Sequence, residues 1–164
     1  MSKVQCKLHP EEKIMATDLL LAIAHHLLFF GLIAILAAET VLVRPGLGGA
    51  TLQRLGRLDA VYGGLAGLIL IVGFCRVFFG LKGWEFYIYN WVFWAKIAAF
   101  LTAGALSAMP TARIARWNRA LRDDPAHVVS DSEIGVVATR LRAEGAIFLL
   151  IPVFAAAMAR GYGV

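Results

Sequence analysis

The stretch DLLLAIAHHLLFFGLIAILAAETVLV, residues 18–43, decides the fold of this chain. It is long and apolar enough to cross a bilayer, since about 20 such residues span a hydrocarbon core of ~30 Å. Two adjacent histidines, His25 and His26, and one acid, Glu39, lie within it. Ionisable groups at that depth are costly and usually face a bundle interior, a partner or a ligand. We therefore expect one side of this helix to point into protein.

Helical geometry separates the two histidines. At about 100° per residue, five positions of the stretch fall within roughly 60° of one another and form one stripe. The stripe consists of Asp18, His25, Leu32, Leu36 and Glu39. His26 lies about 100° away around the helix. We therefore favour His25 as the functional histidine and keep His26 as the second choice.

The composition indicates an integral membrane protein of one domain. Of 164 residues, 60% are hydrophobic and only 16% are charged, with a mean hydropathy of +0.72. A soluble domain of this size carries more charge. The net charge of +5 comes mainly from loops that flank apolar segments, where positive charge sets topology, so no nucleic acid partner is expected. Cys6 and Cys75 belong to no CxxC motif, so neither receives a disulfide or metal role.

The pattern predicts an all-α fold, an integral membrane four-helix antiparallel bundle. A polar N-terminal tail covers residues 1–16, and the membrane domain covers residues 17–164. The spans are predicted near residues 17–43, 57–79, 88–109 and 135–160, separated by proline- and glycine-containing breaks. Short loops make neighbours in sequence neighbours in space.

The third loop is expected to hold a short basic interfacial helix. Residues 111–122 carry an arginine every third position, with apolar side chains on another face. Such a helix is attracted to anionic lipid headgroups.

The distribution of basic residues predicts the orientation of the bundle. One side holds nine of them: Arg44, Arg54, Arg57, Arg113, Arg116, Arg119, Arg122, Arg140 and Arg142. The opposite side holds five: Lys3, Lys7, Lys13, Lys82 and Arg160. Because positive charge is retained inside, we expect a multi-pass membrane protein with the two basic loops in the cytoplasm and both termini outside.

Depth counting along the spans brings candidate site residues together. His25, with His26, Arg76 and Lys96 share the leaflet nearer the termini. A histidine can ligate haem iron, and two buried cations suit the haem propionates. The alternative is a purely structural polar cluster, in which Arg76 and Lys96 extend toward the interface.

A second polar group lies toward the other leaflet. The group is mixed in charge and is interpreted as structural ion pairs; it consists of Glu39, Arg57, Asp59 and Glu144. We expect Glu39 to face the bundle and to pair with Arg57 or a neighbouring polar group.

Several segments carry a resemblance to known proteins. They are AHHLLFFGLIAILAAE (24–39), RLDAVYG (57–63), RVFFGLKGWEFY (76–87), FWAKI (93–97) and SAMPT (107–111). Over nearly all of residues 17–120 the chain resembles a bacterial family of small membrane proteins of unknown function, domain of unknown function family 2214. That family is distantly similar to four-helix membrane proteins of the CopD and HemJ types.

The HemJ resemblance implies that haem b is bound through the first-helix histidine. The A-H-H sequence places His25 or His26 at that position, and Arg57-Leu58 matches an R-L pair. A W-x-x-x-K pattern is matched only loosely, by Trp91 or Trp94 with Lys96. A further histidine expected about ten residues later is absent, since Leu106-Ser107 stands there. A haem would then be five-coordinate, or completed by methionine, water or a partner subunit.

Two functions remain as hypotheses. The first is a haem-b-binding oxidoreductase of redox or tetrapyrrole chemistry, with His25 on the iron and Arg76 and Lys96 at the propionates. The second is a non-enzymatic accessory or assembly subunit in the lipid bilayer, either a homo-oligomer or part of a larger membrane complex. It would dock on its partner through its Gly63–Gly67 GxxxG face and aromatic belt. A transporter is less favoured because internal repeats are missing.

Overall fold

The computed structural model describes residues 10–163, so residues 1–9 of the predicted tail and Val164 lie outside it. The described chain forms six helices and no strand. They are α1 (Pro10–Leu42), α2 (Gly49–Phe79), α3 (Gly83–Ile88), α4 (Trp91–Asp123), α5 (Asp131–Phe148) and α6 (Leu150–Ala159). An isolated antiparallel bridge joins Gly48 to Val128 between the two connecting loops.

The helices make four spans, as the sequence predicts. α1, α2, α4 and the α5–α6 pair are each long and apolar enough to cross a membrane. α1 packs mainly on α2, α4 packs on α5 and α6, and contacts of α2 with α4 and of α1 with α5 close the bundle. We call the end with the α1–α2 and α4–α5 loops the loop end, and the opposite end the terminal end.

Local sequence explains where the helices begin. Pro10 opens α1, and two acids, Glu11 and Glu12, occupy its first turn, where carboxylates favour the helix dipole. Asn90 caps α4, its Oδ1 accepting from the N–H groups of Val92 at 2.9 Å and Phe93 at 3.2 Å. The Asn90 cap fixes the start of α4 at the terminal end, directly after α3.

A proline accounts for the break between α5 and α6. Pro152 has no N–H group for the carbonyl of Phe148, so the helix is interrupted at Leu149. The last span is therefore two helices that cross the bundle as one unit.

The separate interfacial helix predicted for residues 111–122 is wrong. α4 continues through Pro110 to Asp123 without a break. The apolar face of this segment packs into the loop-end core, with Ile114, Trp117 and Leu121 all buried. Tertiary packing therefore stabilises this segment as a continuation of α4.

The predicted stripe of α1 faces the protein. Leu32, Leu36 and Glu39 are 0%, 4% and 2% exposed. Asp18 and His25 are half-buried, and the neighbouring His26 is exposed. The outward sides of the spans carry large apolar residues, including Phe30, Phe74 and Phe79, which fits contact with lipid.

Candidate functional site

A cavity at the terminal end gathers three residues that depth counting placed in one leaflet: His25 from α1, Arg76 from α2 and Lys96 from α4. Its volume is about 130 Å³. Apolar side chains from four helices form the rest of the wall, including Phe29, Ile69, Phe74, Ile97, Phe100 and Ile151.

His25 lies against the glycine of a neighbouring helix. A Cβ atom on Gly73 of α2 would be 3.5 Å from Cε1 of His25 and 3.8 Å from its Nδ1. Nδ1 of His25 is buried and has no hydrogen-bond partner among the described residues. His26 differs, because its Nδ1 donates to the carbonyl of Ala22 in its own helix at 2.6 Å. Of the two imidazoles, His25 is therefore the one with an unpartnered Nδ1 inside the protein.

Two cations give the cavity a positive charge. Arg76 and Lys96 lie close enough to His25 to interact with it electrostatically. Nε of Arg76 is buried without a partner, and Nζ of Lys96 lies 5.4 Å from the ring centre of Phe93. None of the described residues that line the cavity is acidic. An apolar cavity with two cations favours a ligand with an anionic group.

A tyrosine from the short helix α3 also lines this cavity. Tyr87 is 7% exposed. Burial raises the pKa of its hydroxyl. The charge of Arg76 lowers this pKa, and the charge of Asp18 raises it further. The hydroxyl therefore stays protonated at neutral pH and can donate a hydrogen bond.

The side chains that line the cavity are of the types that bind a haem, but the volume of the cavity is smaller than a haem requires. An imidazole nitrogen, two cations and the thioether of Met158 are the groups that bind haem iron and propionates. Yet about 130 Å³ is below the ~300–1,000 Å³ of typical small-molecule sites. As it stands, the cavity admits a carboxylate arm and not a whole macrocycle.

A second polar group is buried near the loop end. It consists of three carboxyl groups on three helices, Glu39 of α1, Asp59 of α2 and Glu144 of α5, each less than a tenth exposed. Asp59 and Glu144 lie close enough to Glu39 to repel its charge. Among the described residues, these carboxylates form no ion pair.

The expected pairing of Glu39 with Arg57 is wrong. Arg57 is exposed, and Oε1 of Glu39 is buried without a partner. The pairing rested on depth along the helices, which does not give the direction of Arg57 around α2. The stripe argument placed Glu39 inside correctly, but it could not supply the partner.

Hydroxyl groups satisfy part of this carboxyl cluster. Tyr62 donates to Oε1 of Glu144 at 2.5 Å, and Thr111 donates to Oδ1 of Asp59 at 2.7 Å. Oε2 of Glu144 is buried without a partner of normal hydrogen-bond geometry, although Ser107 lies close to this carboxyl group. The described residues contain no group of three or more His, Cys, Asp or Glu side chains arranged to hold a metal ion.

The GxxxG glycines of α2 make no close contact with another helix within residues 10–163. A Cβ atom on Gly63 or Gly67 would meet nothing within 4 Å. Both glycines instead line an open groove between α2 and α4. The close approach of these helices occurs nearer the loop end, where a Cβ on Gly56 would lie 2.5 Å from Nδ2 of Asn118.

Four apolar spans around buried polar groups define a multi-pass integral membrane protein. The chain belongs to the family described as predicted membrane protein (DUF2214), whose family model matches residues 17–163. No curated protein and no solved structure matches the chain. The similarity to the CopD and HemJ types therefore stays a prediction.

Sequence reasoning missed three residues of these sites: Met158, Tyr87 and Tyr62. Met158 could have been found, because it lies seven residues after Ile151 and so on the same helix face. Tyr87 was assigned to an aromatic interface belt, and nothing in the sequence shows that α3 folds back over the cavity. Tyr62 joins Glu144 across 82 positions of the chain, a contact that only the packing of α2 against α5 creates.

Proposed function

We propose that the terminal-end cavity binds an apolar cofactor with carboxylate groups, and that this cofactor is haem b. The observation that carries the proposal is the buried, unpartnered Nδ1 of His25 next to two cations in an otherwise apolar wall. Buried polar atoms are nearly always satisfied in native proteins, so such an atom needs a partner that residues 10–163 do not supply.

Each residue has a distinct part in this proposal. His25 supplies the imidazole for iron, and Met158 is a candidate for the second axial position. Arg76 and Lys96 bind the propionates, and Tyr87 can add a hydrogen bond. A bound haem would supply one-electron chemistry, which makes an oxidoreductase of redox or tetrapyrrole chemistry the proposed function.

The size of the cavity sets a condition on binding. A whole haem requires part of the apolar wall to move outward. Phe74 is the best candidate for that movement because it lines the cavity and is 62% exposed on the lipid side. Arg76 lies on α2 and Lys96 on α4, and these two helices are in close contact at Gly56 near the loop end. The two cations can therefore stay in place while the Phe74 side chain changes its rotamer.

The orientation of the bundle is also part of the proposal. The loop end carries the larger number of arginines, which supports a cytoplasmic loop end and periplasmic termini in a bacterial inner membrane. The haem would then lie in the periplasmic leaflet.

The absorption spectrum of the purified full-length protein tests this function. We expect a Soret band in the isolated protein or after addition of haem b. We expect haem dimethyl ester, which lacks the free carboxylates, to bind at least tenfold more weakly, since hydrogen bonds to charged groups contribute about 1.5–3 kcal/mol each.

A matched pair of variants assigns the carboxylate contact. Lys96→Gln should weaken binding of haem b but not of its dimethyl ester. Lys82→Gln is the control, because Lys82 lies outside the cavity with its Nζ 4.4 Å from the ring centre of Phe86. A protein that is colourless and binds neither compound contradicts the proposal.

The second candidate is a non-enzymatic accessory or assembly subunit of a larger membrane complex. The open glycine face of Gly63 and Gly67 favours it, because small residues let another helix approach closely. Co-purification of a stoichiometric membrane partner with a colourless protein would support this function over the first.

A further inference from the structure

We propose that the channel between α2 and α4 is a binding site for one anionic phospholipid, with its headgroup at the loop end and an acyl chain along the glycine groove. Leu70 and Phe100 line both the glycine groove and the haem cavity, but the lipid site does not require a bound haem.

Two adjoining depressions form the channel. The first, the basic cleft, has a volume of about 480 Å³ and is lined by Gln53, Arg57, Asp59, Asn118, Arg119 and Arg122 among others. The second, the glycine groove, has a volume of about 510 Å³ and is lined by Gly63, Ala66, Gly67, Gly104, Ala105 and Ala108 among others. Both volumes are within the range of ordinary ligand sites.

The two depressions lie end to end between the same two helices. The lining residues of α2, from Gln53 through Arg57 and Ala60 to Gly67, lie along one face of that helix at spacings of three or four. The lining residues of α4 between Leu101 and Arg122 likewise lie along one face of their helix. The hydrogen bond between Thr111 and Asp59 marks the junction, since Thr111 lines the groove and Asp59 lines the cleft.

The charge of the cleft selects an anion. Arg57, Arg119 and Arg122 are exposed, and within residues 10–163 none of the three forms an ion pair. Two other arginines of the loop end, Arg113 and Arg116, are already paired with Glu133. Planar guanidinium groups bind phosphate oxygens well, so the three unpaired arginines match a phosphate headgroup.

The groove selects an acyl chain. Its walls are rich in glycine and alanine, and Cβ atoms on Gly63, Gly67 and Gly104 would meet no atom within 4 Å, so the space is open along its length. From Gly63 to Leu70 the groove runs about 10 Å along the helix axis, which is most of the ~15 Å that one leaflet provides.

A partner helix suits the groove but not the cleft. It would cover the glycines while leaving three guanidinium groups without a counter-charge. An anionic lipid satisfies both halves with one molecule, and basic pockets between spanning helices are where acidic headgroups bind.

The test measures lipid retention by native mass spectrometry of the full-length protein in detergent. Dioleoyl-phosphatidylglycerol and dioleoyl-phosphatidylcholine are titrated separately. We expect one phosphatidylglycerol to be retained at concentrations at least tenfold below those needed for phosphatidylcholine. Each of Arg57→Gln, Arg119→Gln and Arg122→Gln should weaken retention about fivefold, given about 1 kcal/mol per basic residue near a lipid surface.

Controls separate the cleft from general surface charge. Arg142→Gln removes an exposed arginine that does not line the cleft and should leave retention unchanged. Gly104→Leu fills the groove without touching an arginine, and it should reduce phosphatidylglycerol retention while the protein keeps its helical circular dichroism.

Three kinds of result would overturn the proposal. The first is a lack of selectivity, which means either equal retention of the two lipids or an Arg142→Gln effect as large as that of Arg119→Gln. The second is inorganic phosphate displacing the lipid at equal concentration, which would make this a free-anion site. The third is a Gly67→Cys variant that forms a disulfide-linked dimer and excludes lipid, which would place a second copy of the chain in the groove.

Discussion

At the residue scale, unsatisfied polar atoms concentrate at two places in the bundle. Nδ1 of His25 and Nε of Arg76 belong to residues that line the terminal-end cavity. Oε1 of Glu39 and Oε2 of Glu144 belong to the carboxyl cluster near the loop end. Because native proteins leave few buried polar atoms unpaired, these two places are where ligands or bound protons are expected. The two differ in chemistry, since one is cationic and the other is made of acids.

Removing the hydroxyl of Tyr62 should destabilise the bundle. In Tyr62→Phe, Oε1 of Glu144 loses its 2.5 Å hydrogen bond while Oε2 already lacks a well-formed one. We expect a loss of about 1–3 kcal/mol in the free energy of unfolding, the usual cost of a buried acceptor left unsatisfied. Denaturant unfolding in detergent, monitored by circular dichroism, measures it.

Tyr89→Phe is the matched control for that substitution. Tyr89 is 79% exposed, so the free energy of unfolding should change by less than ~0.5 kcal/mol. Equal effects of the two substitutions would mean that the Tyr62–Glu144 contact contributes no stability.

The two adjacent histidines show which properties of a single residue can be predicted from the sequence. The 100° step between His25 and His26 was enough to predict which of them faces protein. The shape of the cavity around His25 was not predictable in the same way, because the packing angle of the bundle decides how closely α2 and α6 approach this imidazole.

At the scale of the elements, two prolines act differently. Pro110 lies inside α4, which continues past it, whereas Pro152 accompanies a break between α5 and α6. The side chains after Pro110 account for the difference, because Ile114, Trp117 and Leu121 are buried and stabilise the continued helix. Hydropathy of single segments treats both prolines as equal, so it predicted the number of spans but not that the helix continues through Pro110.

Leucine at position 56 should separate α2 from α4. A side chain there collides with Asn118, whose Nδ2 donates to the carbonyl of Ile114 at 3.0 Å. We expect Gly56→Leu to lower the free energy of unfolding by about 1–3 kcal/mol, as overpacking usually does. Gly64→Leu is the control, since Gly64 is exposed and a Cβ there meets nothing within 4 Å. If Gly64→Leu destabilises as much as Gly56→Leu, the close contact at Gly56 is not the cause.

At the scale of the whole molecule, the two polar sites lie toward opposite ends of the bundle. The cavity is lined from α1, α2, α3, α4 and α6 at the terminal end, and the carboxyl cluster and basic cleft lie toward the loop end. Hydropathy and charge predicted four spans and this division between leaflets. They could not predict the channel between α2 and α4, because glycines that allow close packing and glycines that leave a groove look the same in sequence.

The orientation of the bundle has a direct test. In a Cys6→Ser, Cys75→Ser background, Leu81→Cys reports on the terminal end and Ala126→Cys on the loop end, since both positions are exposed turns. With periplasmic termini, a membrane-impermeant maleimide should label position 81 in cells with a permeabilised outer membrane, and position 126 only after lysis. The reverse pattern would place the basic cleft in the periplasm.

The most direct test of the central claim is haem retention in two neighbouring variants, His25→Ala and His26→Ala. Each protein is purified at equal yield, and the Soret absorbance per protein is compared with that of the unsubstituted chain. Loss of the band in His25→Ala, with most of it kept in His26→Ala, is the result expected if the buried imidazole at the cavity holds the iron. Equal retention in both variants, or loss only in His26→Ala, would contradict the account and show that this cavity does not hold the iron.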